Sequence, residues 1–184
     1  MNNWKFFREA IRTWKSTGAI ARSSPALVRK LVAPISKDRP LRVVELGPGE
    51  GCVTRAILNR LGPDSELIAF EINEKFVERI QSIDDPRLSV HAESAEQLSK
   101  LVEEKSIDFV VSSLPLSIIP KKVKDTIIRQ STLVLKPEGR YLQYQYALQD
   151  YGFLKNYFHS VKVGFTAANL PPAFIYTCSL GLAY

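Results

Sequence analysis

The sequence predicts an α/β fold, a mostly parallel sheet with helices on both faces and an antiparallel edge. Three observations predict it. Short apolar runs alternate with helical periodicities, a glycine-rich turn follows the first run directly, and beyond Tyr146 the alternation gives way to two consecutive strands. At 184 residues, 45% hydrophobic and 24% charged, the chain has the length and composition of one soluble domain with one sizeable core.

In order, residues 41–46, 66–70, 88–91, 107–111 and 140–146 read as strands, most of them apolar enough to be buried on both faces. Between them residues 53–60, 74–83, 95–102 and 120–135 carry helical spacing, and that order implies parallel pairing with helices above and below. Pro120 suits a first helical turn, and Lys136-Pro137-Glu138-Gly139 stops that helix and turns into the next strand. A short helix is expected near 149–158, then strands at 161–165 and 174–179. These are joined by a segment, 167–172, too long and proline-rich for a two-residue turn. The last two strands should form an antiparallel pair at the sheet edge.

Charge divides the chain. Residues 1–40 hold nine basic residues against Glu9 and Asp38, a balance of +7, which leaves −1 for the rest. Such asymmetry suggests a docking surface for something anionic. Residues 1–38 therefore read as a basic amphipathic helical segment ahead of a cofactor-binding domain at 39–184. Lys5, Arg8, Glu9 and Arg12 interrupt the first apolar residues, so neither a signal-peptide core nor a bilayer span is expected. Cys52 and Cys178 lack metal-ligand spacing; they read as small buried residues of a reduced cytoplasm, and no metal is expected.

The run Val-Val-Glu-Leu-Gly-Pro-Gly-Glu-Gly places Gly47, Gly49 and Gly51 directly after a strand, where the backbone can turn sharply and approach a bulky ligand. Glu45 and Glu50 flank these glycines and would repel the pyrophosphate of a dinucleotide. A cationic ligand fits better, and S-adenosylmethionine (SAM) carries both a sulfonium and an ammonium. Glu71, closing the second strand before Ile72, is placed to accept from ribose hydroxyls; it also reads as an acid opening the helix that follows. Ser94 and Ala95 follow the third strand, where adenine would lie, although Ser94 equally suits a helix N-cap. Ser112, Ser113, Leu114 and Pro115 end the fourth strand at the carboxyl edge, beside the expected acceptor. Enzymes that methylate the exocyclic amines of bases put an amide or carboxylate and a stacking aromatic there. Ser113 and Leu116 supply neither, which counts against a nucleic-acid acceptor.

Trp4, Phe7, Ile11 and Trp14 share one helical face, with Lys5, Arg8, Arg12 and Lys15 beside it. This pattern suits a helix lying on an anionic membrane through residues 1–15, a helix capping the core, or a helix tracking RNA phosphates. Alternation sets Tyr144 and Tyr146 on one face of the fifth strand, where their rings could hold an ammonium or simply fill the sheet face; Tyr176 is a further candidate. Neither His91 nor His159 reads as a base, and nothing in the pattern selects one.

The acidic-x-Gly-x-Gly-x-Gly run after a strand resembles motif I of the class I SAM-dependent methyltransferases. With residues 17–24 (Thr-Gly-Ala-Ile-Ala-Arg-Ser-Ser), the Ser112-Ser113-Leu114-Pro115-Leu116 turn and residues 169–176 (Asn-Leu-Pro-Pro-Ala-Phe-Ile-Tyr), the chain is similar to the soluble, membrane-associating bacterial phospholipid N-methyltransferases. That family in turn resembles the ribosomal RNA adenine dimethylases. The resemblance implies a Rossmann-like methyltransferase sheet, SAM as cofactor, and stepwise methylation of phosphatidylethanolamine. It also implies a cytoplasmic enzyme held at the membrane periphery by its N-terminal helix, with Gly18, Ala19 and Ile20 folded over the cofactor. Glu50 and Ser113 depart from the family's usual threonine and glycine.

Overall fold

Strand β1 (Arg42–Leu46) is a five-residue run whose alternate side chains enter two different cores, and the rest of the fold is arranged around it. The computed structural model describes residues 23–181. Around β1 stand β2 (Glu66–Phe70), β3 (Leu88–His91), β4 (Ile107–Ser112), β5 (Leu135–Gln145), β6 (Ser160–Thr166) and β7 (Ala173–Ser179), in the order β3-β2-β1-β4-β5-β7-β6. The first five pair in parallel, and β7 runs antiparallel to both β5 and β6. The expected antiparallel pair is thus present, with β7 inserted between β5 and β6.

Helices α1 (Pro25–Leu31), α2 (Cys52–Leu58), α3 (Glu74–Gln81), α4 (Leu98–Leu101), α5 (Lys121–Val134) and α6 (Tyr151–Leu154) complete the fold. Val44, Leu46, Ile68 and Phe70 face a cluster closed by α4, α5 and α6. Val43 and Leu67, one position out of phase, face a cluster closed by α1 and α2. Helix α1 comes from the basic N-terminal segment, yet Leu27, Val28 and Leu31 are buried in that second cluster.

Several boundaries moved for local reasons. The helix expected at 95–102 begins as a 3-10 turn, Ala95–Gln97, because Ser94 caps it tightly by accepting from the Glu96 N–H at 3.1 Å. Pro120 stands as the N-cap of α5 rather than inside its first turn. Strand β5 starts five residues early, but its register against β4 jumps between Leu135 and Arg140, so residues 136–139 bulge where a turn was expected. The helix expected near 149–158 holds only Tyr151–Leu154, and Gly152 stands within it.

At the amino edge of the sheet Asp108 is buried and accepts from the Arg42 N–H at 2.8 Å, from Arg39 at 2.8 Å and from Lys136 at 2.9 Å. Burial pushes its carboxyl up, but these three partners together outweigh burial and hold it below the usual carboxylate range. At the opposite edge, the carboxyl ends of β1 and β4 lie side by side where the strand order reverses, the place where such sheets bind ligands. Among the described residues no helix is long and apolar enough to cross a membrane, and no cluster could hold a metal ion.

Candidate active site

A cleft of about 540 Å³ opens at that switch point. Its floor is the glycine turn. Gly47, Gly49 and Gly51 all take positive φ, at +71°, +55° and +81°. A Cβ on Gly47 would stand 2.7 Å from Leu114, so that position excludes other residues both by conformation and by space. The turn is fixed by ladder bonds that continue the sheet: the Gly47 N–H donates to the Phe70 carbonyl and the Ser113 N–H to the Leu46 carbonyl, each at 2.9 Å.

Glu71 is 5% exposed and faces the cleft, and its carboxylate ties two turns together. It accepts from the Gly49 N–H at 3.1 Å, the Ile72 N–H at 2.9 Å and the Asn73 N–H at 3.0 Å. A carboxylate has roughly four lone-pair positions, so about one remains for a ligand hydroxyl. Ile72, Ser94 and Ala95 join it in the wall. Ser94 thus caps the 3-10 turn and also lines the cleft, as does Cys52, which was expected to be buried and is exposed.

Glu45 is placed differently. It is fully buried on the α1–α2 side of the sheet and absent from the cleft wall, and neither carboxylate oxygen finds a hydrogen-bond partner among the described residues. Burial pushes its pKa up to about 8; the nearby Thr54 hydroxyl opposes this without completing a normal hydrogen bond, and Glu71 adds to it. Glu45 thus carries a proton at neutral pH and supplies no negative charge to the glycine turn. The acidity of the cleft comes from Glu50, Glu71 and Glu93, and its lining among the described residues includes no lysine or arginine. Glu50 pairs with Arg79, which holds its side chain beside the turn.

At the other end stand Ser113, Leu114, Pro115, Tyr144 and Tyr146. Ser112 is fully buried behind them, its Oγ accepting from the Leu114 N–H at 3.3 Å. The two tyrosine rings meet edge-on at 5.9 Å. Tyr144 accepts a bond from the Ser23 hydroxyl at 3.1 Å, while the shielded hydroxyls of Ser113 and Tyr146 have no hydrogen-bond partner among the described residues. Unpartnered polar atoms in a cleft wall are positions for a ligand's own polar groups. Burial pushes the Tyr144 phenol up to about 12, with Ser23 relieving part of that, and burial raises Tyr146 as well. Both rings are therefore neutral at physiological pH and act as hydrogen-bonding partners or ring faces.

Tyr176 is not brought to this group. It is fully buried in the core and donates to the Ala147 carbonyl at 3.2 Å, because its position on β7 points it toward α6 rather than the cleft. Gly18, Ala19 and Ile20 lie outside the described residues, as does the helix expected over residues 1–15. The sequence reading missed Gln143 and Gln145, whose side-chain amides both donate to the Leu114 carbonyl, at 2.9 and 3.0 Å, and so hold the turn against β5. Two glutamines two apart on a strand share a face, and that was the available signal. Ser23 was missed as well, and sequence alone offers nothing to bring it 121 positions along the chain to Tyr144.

Residues 43–139 match a family model described as a methyltransferase domain. The chain is 31% identical over 180 residues to the ornithine lipid N-methyltransferase of Singulisphaera acidiphila, a match spanning 95% of this chain and 92% of that protein. A shorter match, 36% identical over 70 residues, is with ribosomal RNA small subunit methyltransferase A of Burkholderia ambifaria, spanning 38% of this chain and 26% of that one. Among solved structures, a SAM-dependent methyltransferase from Aquifex aeolicus is similar at TM-score 0.66 and 12% identity, over 83% of this chain and 89% of that one. Spermidine synthase from Thermotoga maritima is similar at TM-score 0.63 and 18% identity, over 84% of this chain and 60% of that one. At such identities the likeness is one of fold.

Proposed function

Since the chain belongs to the class I SAM-dependent methyltransferases, we propose that it methylates the amine of an aminolipid headgroup, phosphatidylethanolamine and its methylated derivatives among them. The observation that carries this reading is the extent of the match to a lipid N-methyltransferase: it runs nearly end to end in both proteins, whereas the match to the RNA enzyme stops at 70 residues. Ornithine lipid and phosphatidylethanolamine both present a primary amine on a short flexible stem, so one cleft can accept either.

The chain's residues fit the cofactor. A glycine floor leaves room for a ligand backbone, Glu71 retains acceptor capacity for a ribose, and the lining carboxylates favour a cation. Bound SAM supplies an electrophilic methyl group on a positively charged sulfur. Ser113, Tyr144 and Tyr146 then orient the acceptor amine toward it, and Leu114 and Ile118 exclude water from the same end. The amine must first lose a proton. An alkylammonium with a pKa of about 10.4 needs roughly 4 to 5 kcal/mol for this at neutral pH. The neutral phenols accept a hydrogen bond from the amine, and proton removal is left to solvent at the open mouth.

Residues 1–15 serve in this reading as an anchor on an anionic membrane, with their tryptophans at headgroup depth. Deleting them is expected to reduce flotation with anionic vesicles while SAM affinity persists; unchanged flotation would end the anchor role. The acceptor is tested by supplying methyl-labelled SAM with phosphatidylethanolamine vesicles, ornithine-lipid vesicles or ribosomal RNA. Label is expected in a lipid extract, and label confined to RNA would overturn the aminolipid reading.

A further inference from the structure

The carboxyl edge of the sheet has two unlike halves. Turns after β1, β2 and β3 carry Glu50, Glu71 and Glu93 into the cleft. Beyond β4 the loops change character, and each leaves a large apolar side chain in solvent. Ile118 follows β4, Leu148 follows β5 at 48% exposure, and Leu170 stands between β6 and β7 at 82%. These three ring the mouth. Ile118 itself lines the cleft, as do Ala147 and Gln149 on either side of Leu148. The Leu170 loop is fixed beside the same wall, because Asn169 Oδ1 accepts from the Ser24 N–H at 2.8 Å next to Ser23, another lining residue.

The charges around this rim are mainly positive, Asp125 near Lys121 being the half-exposed exception. Lys121 and Lys122 are exposed just after the Ile118 turn, and Lys155 stands 5.6 Å from the centre of the half-exposed Tyr151 ring. No acidic residue occurs from Ser113 to Lys124, and from Ala147 to Pro172 Asp150 alone does, buried against Lys124. Apolar tips on separate loops, flanked by lysines that outnumber the carboxylates beside them, have the chemistry of a bilayer interface: side chains below the headgroups and ammonium groups among anionic phosphates. Exposed apolar residues gathered around a cleft mouth mark an interaction site rather than scattered surface residues.

We propose that this rim of loops is a bilayer-docking face that sets the mouth of the cleft at the headgroup level of an anionic membrane. It rests on the aminolipid reading, since a headgroup amine can enter the cleft only if the mouth meets the membrane. It does not depend on residues 1–15.

The test uses the full chain, comparing wild type with the pair Leu148→Glu and Leu170→Glu in flotation with phosphatidylglycerol–phosphatidylethanolamine vesicles. The pair should lower vesicle partitioning by about tenfold or more. SAM binding by calorimetry, which also reports folding, should be unchanged. A second pair, Lys121→Glu with Lys122→Glu, addresses the same face through charge and should lower partitioning about tenfold; it decides the matter if the first pair fails to fold. Unchanged partitioning in both pairs overturns the proposal. So does unchanged partitioning accompanied by a dimer-to-monomer shift on size exclusion, which would assign the leucines to a second copy of the chain. If partitioning falls but wild type places label in no lipid, the docking face stands and the aminolipid reading fails.

Discussion

Glu45 shows how one residue can differ from its motif. In sequence it is the acidic member of the glycine run; in the fold it is a protonated acid sealed beneath that run. Its proton has a measurable consequence. The unfolded chain releases it near 4.5 and the folded chain near 8, so between these values the folded state binds more protons. Stability owed to this group is fully present below about 4.5 and is lost as pH rises through 8, at roughly 1.4 kcal/mol per pH unit at most. Glu45→Gln keeps the shape and removes the titration. Thermal or urea unfolding of the cofactor-free protein should show the variant gaining on wild type by a few kcal/mol between pH 5 and 8. A difference that stays flat across that range would mean Glu45 is ionised in the fold.

Among the elements, α5 and the loop after β5 are joined by one buried contact. Lys124 in the first turn of α5 meets Asp150 at 2.5 Å, with side chains 14% and 3% exposed, and its ammonium lies 4.7 Å from the centre of the Phe153 ring. The second Asp150 oxygen has no partner among the described residues, so removing the lysine strands a buried carboxylate. Lys124→Met should reduce unfolding free energy by about 3 kcal/mol, and adding Asp150→Leu should restore most of it. Urea titration of the single and double variants checks this, and equal losses in both would locate the effect in packing. Neither residue announces the pair, being 26 positions apart on either side of β5. The elements themselves were more legible than their contacts. Strands β1, β2 and β4 were readable because burial on both faces demands continuous apolar runs, whereas β3 is a partly exposed edge strand. Helix α1 lies within the segment 1–38 read as helical, but its bounds and buried face were not singled out although Ser24, Pro25 and the Leu27, Val28, Leu31 spacing give it a cap and an apolar side; seven residues are too few for periodicity to stand out from a basic segment.

At the scale of the molecule, topology was readable and the Ser113–Tyr146 end of the cleft was readable in part. Alternation of strand and helix leaves few arrangements for a parallel sheet, and the change after Tyr146 marked its antiparallel edge. The donor end of the cleft was readable for a related reason, since it is built from turns that immediately follow strands: the glycines, Glu71, Ser94 and Ala95. The other end draws together Ser23, Ser113, Tyr144 and Tyr146 from three remote stretches; Ser113 and the two tyrosines were readable from a strand end and from strand alternation, whereas Ser23 and the bracing by Gln143 and Gln145 depend on long-range packing that leaves no local pattern. Tyr176 illustrates the same limit, because its strand face could be assigned only once β7 was known to lie between β5 and β6.

The three amides held by Glu71 give the cleft a property of timing. Gly49, Ile72 and Asn73 are hydrogen-bonded by one side chain before any ligand arrives. That corner is ordered by the fold itself, so binding there forfeits little chain entropy. A newcomer meets a finished seat, and whatever slow adjustment the catalytic cycle contains must belong to other parts of the chain.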